Sequence, residues 1–311
     1  MYKDTVRVIP LAMVDDLIGI SKCGMDSIEL NTFINTQAEL KKLRFHVPDK
    51  DGQSKCHKLH IGTKHETCPI LKVHGTDMAS VTEDKYLGDV ISSDGKNTKN
   101  ISKRISKGIG IITQIIHLLE MVSLGDHFME IALLFREALF LNGILTNSEI
   151  WYGLSKSEID EFEDLDRQLL RKILQVPVST PQEAYYLEMG IIPIRVVIMA
   201  RRIIYLHYLV TRKETEMLAQ FFRTQWNQPS KGDWTETVKK DLDKFGIVED
   251  LDYIKSKSKE SFKKMVKIKA KEYALTILTE KQQTHSKMEN IYYSEIKPQK
   301  YFSLENAKIE E

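Results

Sequence analysis

Beyond Asn97 the chain repeats apolar residues every three or four positions, and this period limits its fold more than any other feature. Such spacing collects apolar side chains on one side of an α-helix. Ile101, Ile105, Ile109, Ile112, Ile116 and Leu119 predict one stripe. Phe128, Ile131, Phe135 and Leu139 predict a second, and Ile159, Phe162, Leu165, Leu169 and Ile173 a third, behind a Ser157 cap. Ser179-Thr180-Pro181 opens a short helix that Gly190 ends, and further helices are expected over 195–211 and 214–225. Residues 229–233 read as a connection, followed by lysine-rich helix and a tail after Pro298.

The first ninety or so residues mix strand and helix signals. Residues 6–14 and 17–20 are rich in β-branched and apolar side chains and flank Asp15-Asp16, which predicts two short strands around a tight acidic turn. Asp26 and Glu29 start a helix carried by Ile28, Leu30, Phe33, Ile34, Leu40 and Leu43. Residues 59–61, 70–73 and 86–91 read as strands between Gly and Pro punctuation. The expected fold class is therefore α+β, a small sheet region with antiparallel strands followed by a mainly α-helical remainder. Its expected divisions are 1–95, 96–228 and 229–311.

Composition narrows the function classes. Hydrophobic residues are 42% and charged residues 29%, enough to bury a sizeable core. A net charge of +1 gives no overall pull on nucleic acid, so any such role rests on local clusters. Cys23, Cys56 and Cys68 are scattered and odd in number, which argues for a reducing, intracellular compartment, cytoplasm or nucleus. Residues 1–7 run straight into a strand-like pattern, so no signal peptide is expected. Residues 191–210 are the most apolar stretch, but Arg195, Arg201, Arg202 and His207 argue against a membrane span.

Candidate chemistry is concentrated in a few places. The adjacent carboxylates of Asp15 and Asp16 suit hard divalent cations, and they equally suit a solvated β-turn. No acid lies between Asp94 and Glu120, while Lys96, Lys99, Lys103, Arg104 and Lys107 cluster there. Lys99, Lys103, Arg104 and Lys107 fall about one helical turn apart, which predicts a shared basic face opposite the isoleucine stripe, for phosphate or simply for solvent. A second run from Lys255 to Lys271, interrupted by Glu260, carries the same two readings. The acids at 158, 160, 161, 163, 164 and 166 repel phosphate, so that helix is expected to face away from nucleic acid or to meet a protein partner. Cys56, His57, His60, His65, Cys68 and His74 lack the paired short spacing of a zinc site.

The order of these features resembles the last palm motifs, thumb and linker of a non-LTR (LINE-like) retrotransposon reverse transcriptase. Ala12-Met13-Val14-Asp15-Asp16 resembles the aromatic-x-Asp-Asp motif, with Met13 at the aromatic position. Lys55-Cys56 resembles the next helix–strand motif, and Tyr86-Leu87-Gly88 resembles the primer grip. The likeness continues through residues 142–145, 149–152, 186–190 and 201–207.

It implies an RNA-directed DNA polymerase, a nucleotidyltransferase using Mg²⁺ at Asp15 and Asp16, with an RNA template and a DNA primer or target as partners. Lys55 is expected either near the triphosphate or as a surface lysine before a strand. Tyr86, Leu87 and Gly88 are expected at the primer end. Lys99, Lys103, Arg104 and Lys107 are expected on the nucleic-acid backbone. The family's fingers and first metal-binding Asp motif precede the Asp-Asp hairpin, and only fourteen residues precede Asp15 here, so the chain alone is expected to be inactive. The alternatives are a non-catalytic nucleic-acid-binding module and a degenerate retrotransposon relic.

Overall fold

Strand-forming residues at the start of the chain build a hairpin in which β1 (Val8–Met13) pairs antiparallel with β2 (Asp16–Ser21). The computed structural model describes residues 8–13, 16–21, 24–45, 55–61, 69–121, 127–285, 288 and 291–298. It is an α+β protein, mainly helical with a few short strands. The chain divides into two units, Met1–Asn100 and Ile101–Glu311.

In the first unit, α1 (Gly24–Leu40) follows the hairpin and touches β2. Its Asn31 and Asn35 side chains both donate to the Lys72 carbonyl, at 2.9 and 2.8 Å, tying the helix to β4 (Lys72–Val73). β4 pairs antiparallel with β5 (Thr76–Asp77). β3 (His57–Leu59) pairs with β6 (Ala79–Val81), and β7 (Glu83–Tyr86) with β8 (Asp89–Ser92). The expectation of antiparallel strands holds for three of these four ladders; β3–β6 is parallel. The strand expected over 86–91 is a hairpin instead, because Leu87 and Gly88 turn the chain. The α1 stripe is also corrected. Leu30 is buried, but Ile28, Phe33, Leu40 and Leu43 are exposed; β1, β2 and β4, which pack on α1 among the described residues, are short.

The second unit is helical. α2 (Thr98–Met121) enters it, followed by α3 (Phe128–Phe135), a π-helical turn (Arg136–Leu141), α4 (Asn142–Ile144) and a short 3₁₀ turn at Ser148–Ile150. Then come α5 (Lys156–Leu174), α6 (Gln182–Glu188), α7 (Ile194–Val210), α8 (Met217–Asn227), α9 (Trp234–Lys244), α10 (Leu251–Ser256) and α11 (Lys259–Gln282). The connection at 229–233 lies inside this unit, and α9 and α11 both pack on α7.

α7 is the centre. Ile194 and Ile198 join a core with Ile112, Phe140, Phe162 and Leu169, while Val196, Ile203 and Leu206 join another with Val238, Phe262 and Val266. A helix apolar on most sides is stable only when neighbours cover it, and here they do. Of the third predicted stripe, Phe162, Leu165, Leu169 and Ile173 are buried along α5 and Ile159 is half-buried. The cap is Ser155 rather than Ser157. Ser155 accepts from Glu158 N at 3.2 Å, and Glu158 accepts from Ser155 N at 2.8 Å, a reciprocal pair that needs the three-residue spacing.

The second stripe is shifted by the π turn. An α-helix would carry Leu139 inward one turn after Phe135; the wider turn adds a residue, so Leu139 is exposed and Phe140 fully buried. The first stripe is rotated. Ile101, Ile112, Ile115 and Leu119 are buried, with Arg104 and Gly108 on the same side, while Ile109 is 57% exposed. Gly108 explains the rotation. A Cβ there would lie 2.8 Å from Leu165 and 3.1 Å from Ile144, so the backbone of α2 approaches its neighbours at the glycine.

Candidate nucleic-acid interface

The acidic hairpin is built by pairing Met13 with Asp16 as the last rung of β1–β2. Asp15 lies outside the described residues, and of Asp16 only its place at the start of β2 is described. Lys55 is exposed ahead of β3. Among the described residues no group of three or more His, Cys, Asp and Glu side chains is placed to hold a metal ion. Two residues of the histidine-rich segment are otherwise engaged: His57 meets Asp84 at 3.0 Å, and His74 Nε2 accepts from Phe45 N at 3.2 Å.

Two hairpin turns in the first unit carry a positive φ at both central residues, His74-Gly75 and Leu87-Gly88. This is the signature of a type I′ turn, whose twist matches that of the strands it joins. Glycine adopts such angles freely and histidine is among the residues enriched there. Leucine is not, and a left-handed conformation costs it about 1–2 kcal/mol. Leu87 nevertheless stands at the tip with φ +48° and 46% of its surface exposed. Leu87 is thus a strained, exposed apolar residue at a hairpin tip.

The hairpin is anchored behind its tip. Asn100 donates to Asp89 Oδ1 at 2.9 Å and accepts from Val90 N at 3.3 Å. Lys99 remains exposed but pairs with Glu83 at 2.8 Å, which raises its pKa. The four-residue basic face is thereby corrected. Arg104 is only 6% exposed and lies on the core side of α2, three residues after Ile101 and four before Gly108. Lys103 and Lys107 are exposed, on the side opposite Ile101 and Ile112. Tyr86 is half-buried and paired with Asp89.

The acids of α5 are largely drawn inward. Arg136 Nε and Nη2 donate to Asp166 at 2.7 and 2.6 Å, and the Tyr186 hydroxyl donates to the same carboxylate at 3.0 Å; all three side chains are buried. Burial disfavours the Arg136 charge, but Asp166 more than offsets this and holds its pKa above the usual value. Burial, and then Asp166, push the Tyr186 pKa well up. Arg195 pairs with Glu163 and Asp160, and Arg167 with Asp164. Helix α5 therefore repels phosphate less than its composition suggests.

On α7, Arg202 donates to Asp241 Oδ2 at 2.6 Å, and burial raises the Asp241 pKa despite that partner. Arg201 binds the Leu145 carbonyl and Asn142. These pairs escaped the sequence reading because spacing along one helix says nothing about partners on another. The Leu87 turn could have been found, since a residue followed by Gly between two strand-like runs signals a two-residue hairpin.

Family models, curated proteins and solved structures all return no match to this chain. No helix among the described residues is long and apolar enough to cross a membrane.

Proposed function

We propose that the chain is a primer- and template-holding portion of a reverse transcriptase of the non-LTR retrotransposon type, an RNA-directed DNA polymerase. The observation that carries the reading is the Leu87-Gly88 turn, an exposed and strained tip at the position where the resemblance expects the primer grip. The order of hairpin, helix, strands, second hairpin and long helix supports it. In the second unit, Lys103 and Lys107 on α2 offer charge to a phosphate backbone.

Asp15 and Asp16 are oxygen donors of the kind Mg²⁺ takes, and Asp16 opens β2, paired with Met13 across the hairpin. In such transfer a metal pair lowers the pKa of the attacking hydroxyl and stabilises the departing oxygen. Lys55 would meet the triphosphate, while Tyr86, Leu87 and Gly88 would hold the primer end. Within this reading the isolated chain binds nucleic acid without extending a primer, as a non-catalytic module would.

The test incubates purified chain with primer–template, Mg²⁺ and deoxynucleotides, following binding and incorporation together. Binding without incorporation is the expected result. Incorporation that disappears in Asp15→Ala would overturn the expected inactivity, and absence of binding at low salt would overturn the whole reading.

A further inference from the structure

The second unit pairs most of its buried and half-buried cations with acids: Arg136, Arg195, Arg202, Arg212, Arg223 and Lys239 each meet a carboxylate. Exposed lysines are lined up along one helix. Along α11, Phe262, Val266, Ala270 and Ala274 recur every four residues and are buried. One position further round, Lys263, Lys267 and Lys271 recur at the same interval, preceded by Lys259 and flanked by Lys264. All five are exposed.

Lys271 donates to the Ile296 carbonyl at 3.2 Å. Lys259, Lys263, Lys264 and Lys267 form no ion pair with another described residue. Of the helix's acids, Glu272 is taken by Lys269 at 2.8 Å, Glu260 lies in the first turn, and Glu280 lies nine residues beyond Lys271. In a chain with 45 basic and 44 acidic residues, a surface row with so little compensation is a local concentration of charge.

We infer that the exposed lysine row of α11 is a binding surface for the phosphodiester backbone of a polynucleotide, without base readout. Successive lysines four residues apart rise by about 6 Å, so the row from 259 to 271 presents a line of cations about 18 Å long. A linear polyanion matches that line. A membrane-surface helix would turn an apolar face to the lipid, whereas the apolar face of α11 is buried on α7. Lysine ammoniums neutralise phosphates as point charges and read no sequence. The inference requires neither Asp15 nor the Leu87 hairpin, so it stands apart from the polymerase reading.

The experiment measures fluorescence anisotropy of a labelled oligothymidylate with the full chain across a salt series. The variant replaces Lys259, Lys263, Lys264 and Lys267 by Gln, which keeps helix propensity; circular dichroism checks that the helix content is unchanged. Each phosphate neutralised contributes about 0.7 to the slope of log affinity against log salt for single strands. The variant should therefore lose about 3 units of slope and bind at least about tenfold more weakly at low salt. A companion variant with Arg at the same four positions should bind like the parent.

Unchanged affinity and slope in the Gln variant would overturn the proposal. So would tighter binding to phosphatidylserine vesicles than to the oligonucleotide. Primer-extension results bear on the polymerase reading alone, and Lys103→Gln with Lys107→Gln reports on α2 separately.

Discussion

The two units handle apolar surface in opposite ways. Among the described residues of the first unit, Leu30, Ala38, Val73 and Val90 are the buried apolar side chains, while Ile28, Phe33, Leu40, Ile70 and Leu87 are exposed. The second unit wraps two continuous cores around α7 and pairs the buried Arg136 and Arg202 with carboxylates. Stability follows buried area and satisfied charge. The second unit is therefore the stable scaffold. The described residues of the first unit are joined by short ladders and side-chain-to-backbone bonds such as those from Asn31 and Asn35. The candidate contact residue Leu87 sits in this weakly buried unit, as loops and turns carrying function commonly do.

That contrast can be broken most severely at the Arg136–Asp166–Tyr186 cluster. Asp166→Ala leaves a buried guanidinium and a buried hydroxyl without their acceptor, and should destabilise the second unit by about 3–5 kcal/mol. Trp151, Trp226 and Trp234 all lie in that unit, so a tryptophan-monitored urea transition reports on it alone. A shift under about 1 kcal/mol would mean the cluster is not closed to water.

The next contrast uses one kind of truncation in both units. Leu169→Ala, at a fully buried site, should cost about 2–5 kcal/mol in the same transition. Phe33→Ala, on the exposed side of α1, should stay within about 0.5 kcal/mol by amide hydrogen exchange. Equal costs would refute the division into a packed and a sparsely packed unit.

A smaller, opposite effect is expected at the hairpin tip. Leu87→Asn relieves the left-handed strain and should stabilise the first unit by about 1 kcal/mol, read from exchange protection of the Tyr86 and Asp89 amides. If Leu87 touches a primer, the same change should weaken primer–template binding while stabilising the protein.

The mildest prediction is a pH effect. The Tyr186 pKa is raised in the folded state, so the folded chain keeps a proton that the unfolded chain sheds. The associated stability is fully present below the ordinary tyrosine value near 10 and falls as pH rises beyond it. Tyr186→Phe should flatten that alkaline decline in the urea midpoint. An unchanged slope would assign the decline to other tyrosines.

Much of this architecture was legible in the sequence. The 3.6-residue period placed α5 with its apolar side and a helix close to α7, and the strand formers on both sides of the acidic pair placed the first hairpin, with Asp16 in β2 rather than between the strands. What escaped depends on partners and backbone. The π turn moved Phe140 inward in place of Leu139, which no regular period foresees. Arg104 fell on the core side because Gly108 draws α2 close at that point. Asp166 and Glu163 looked like surface acids until Arg136 and Arg195 met them from other helices. Of the site, Lys99, Lys103, Lys107 and the Tyr86-Leu87-Gly88 tip stay exposed or half-buried, with Lys99 paired to Glu83, while Arg104 is buried.

The most direct test of the central claim is the affinity of the purified chain for three probes of equal length at one salt concentration. The probes are a DNA primer recessed on an RNA template, the same duplex with blunt ends, and the single strand. A primer-gripping chain should prefer the recessed junction to the blunt duplex by about tenfold, the equivalent of 1.4 kcal/mol, and should lose that preference in Leu87→Asn. Equal affinity for junction and blunt duplex, unaffected by Leu87→Asn, would contradict it.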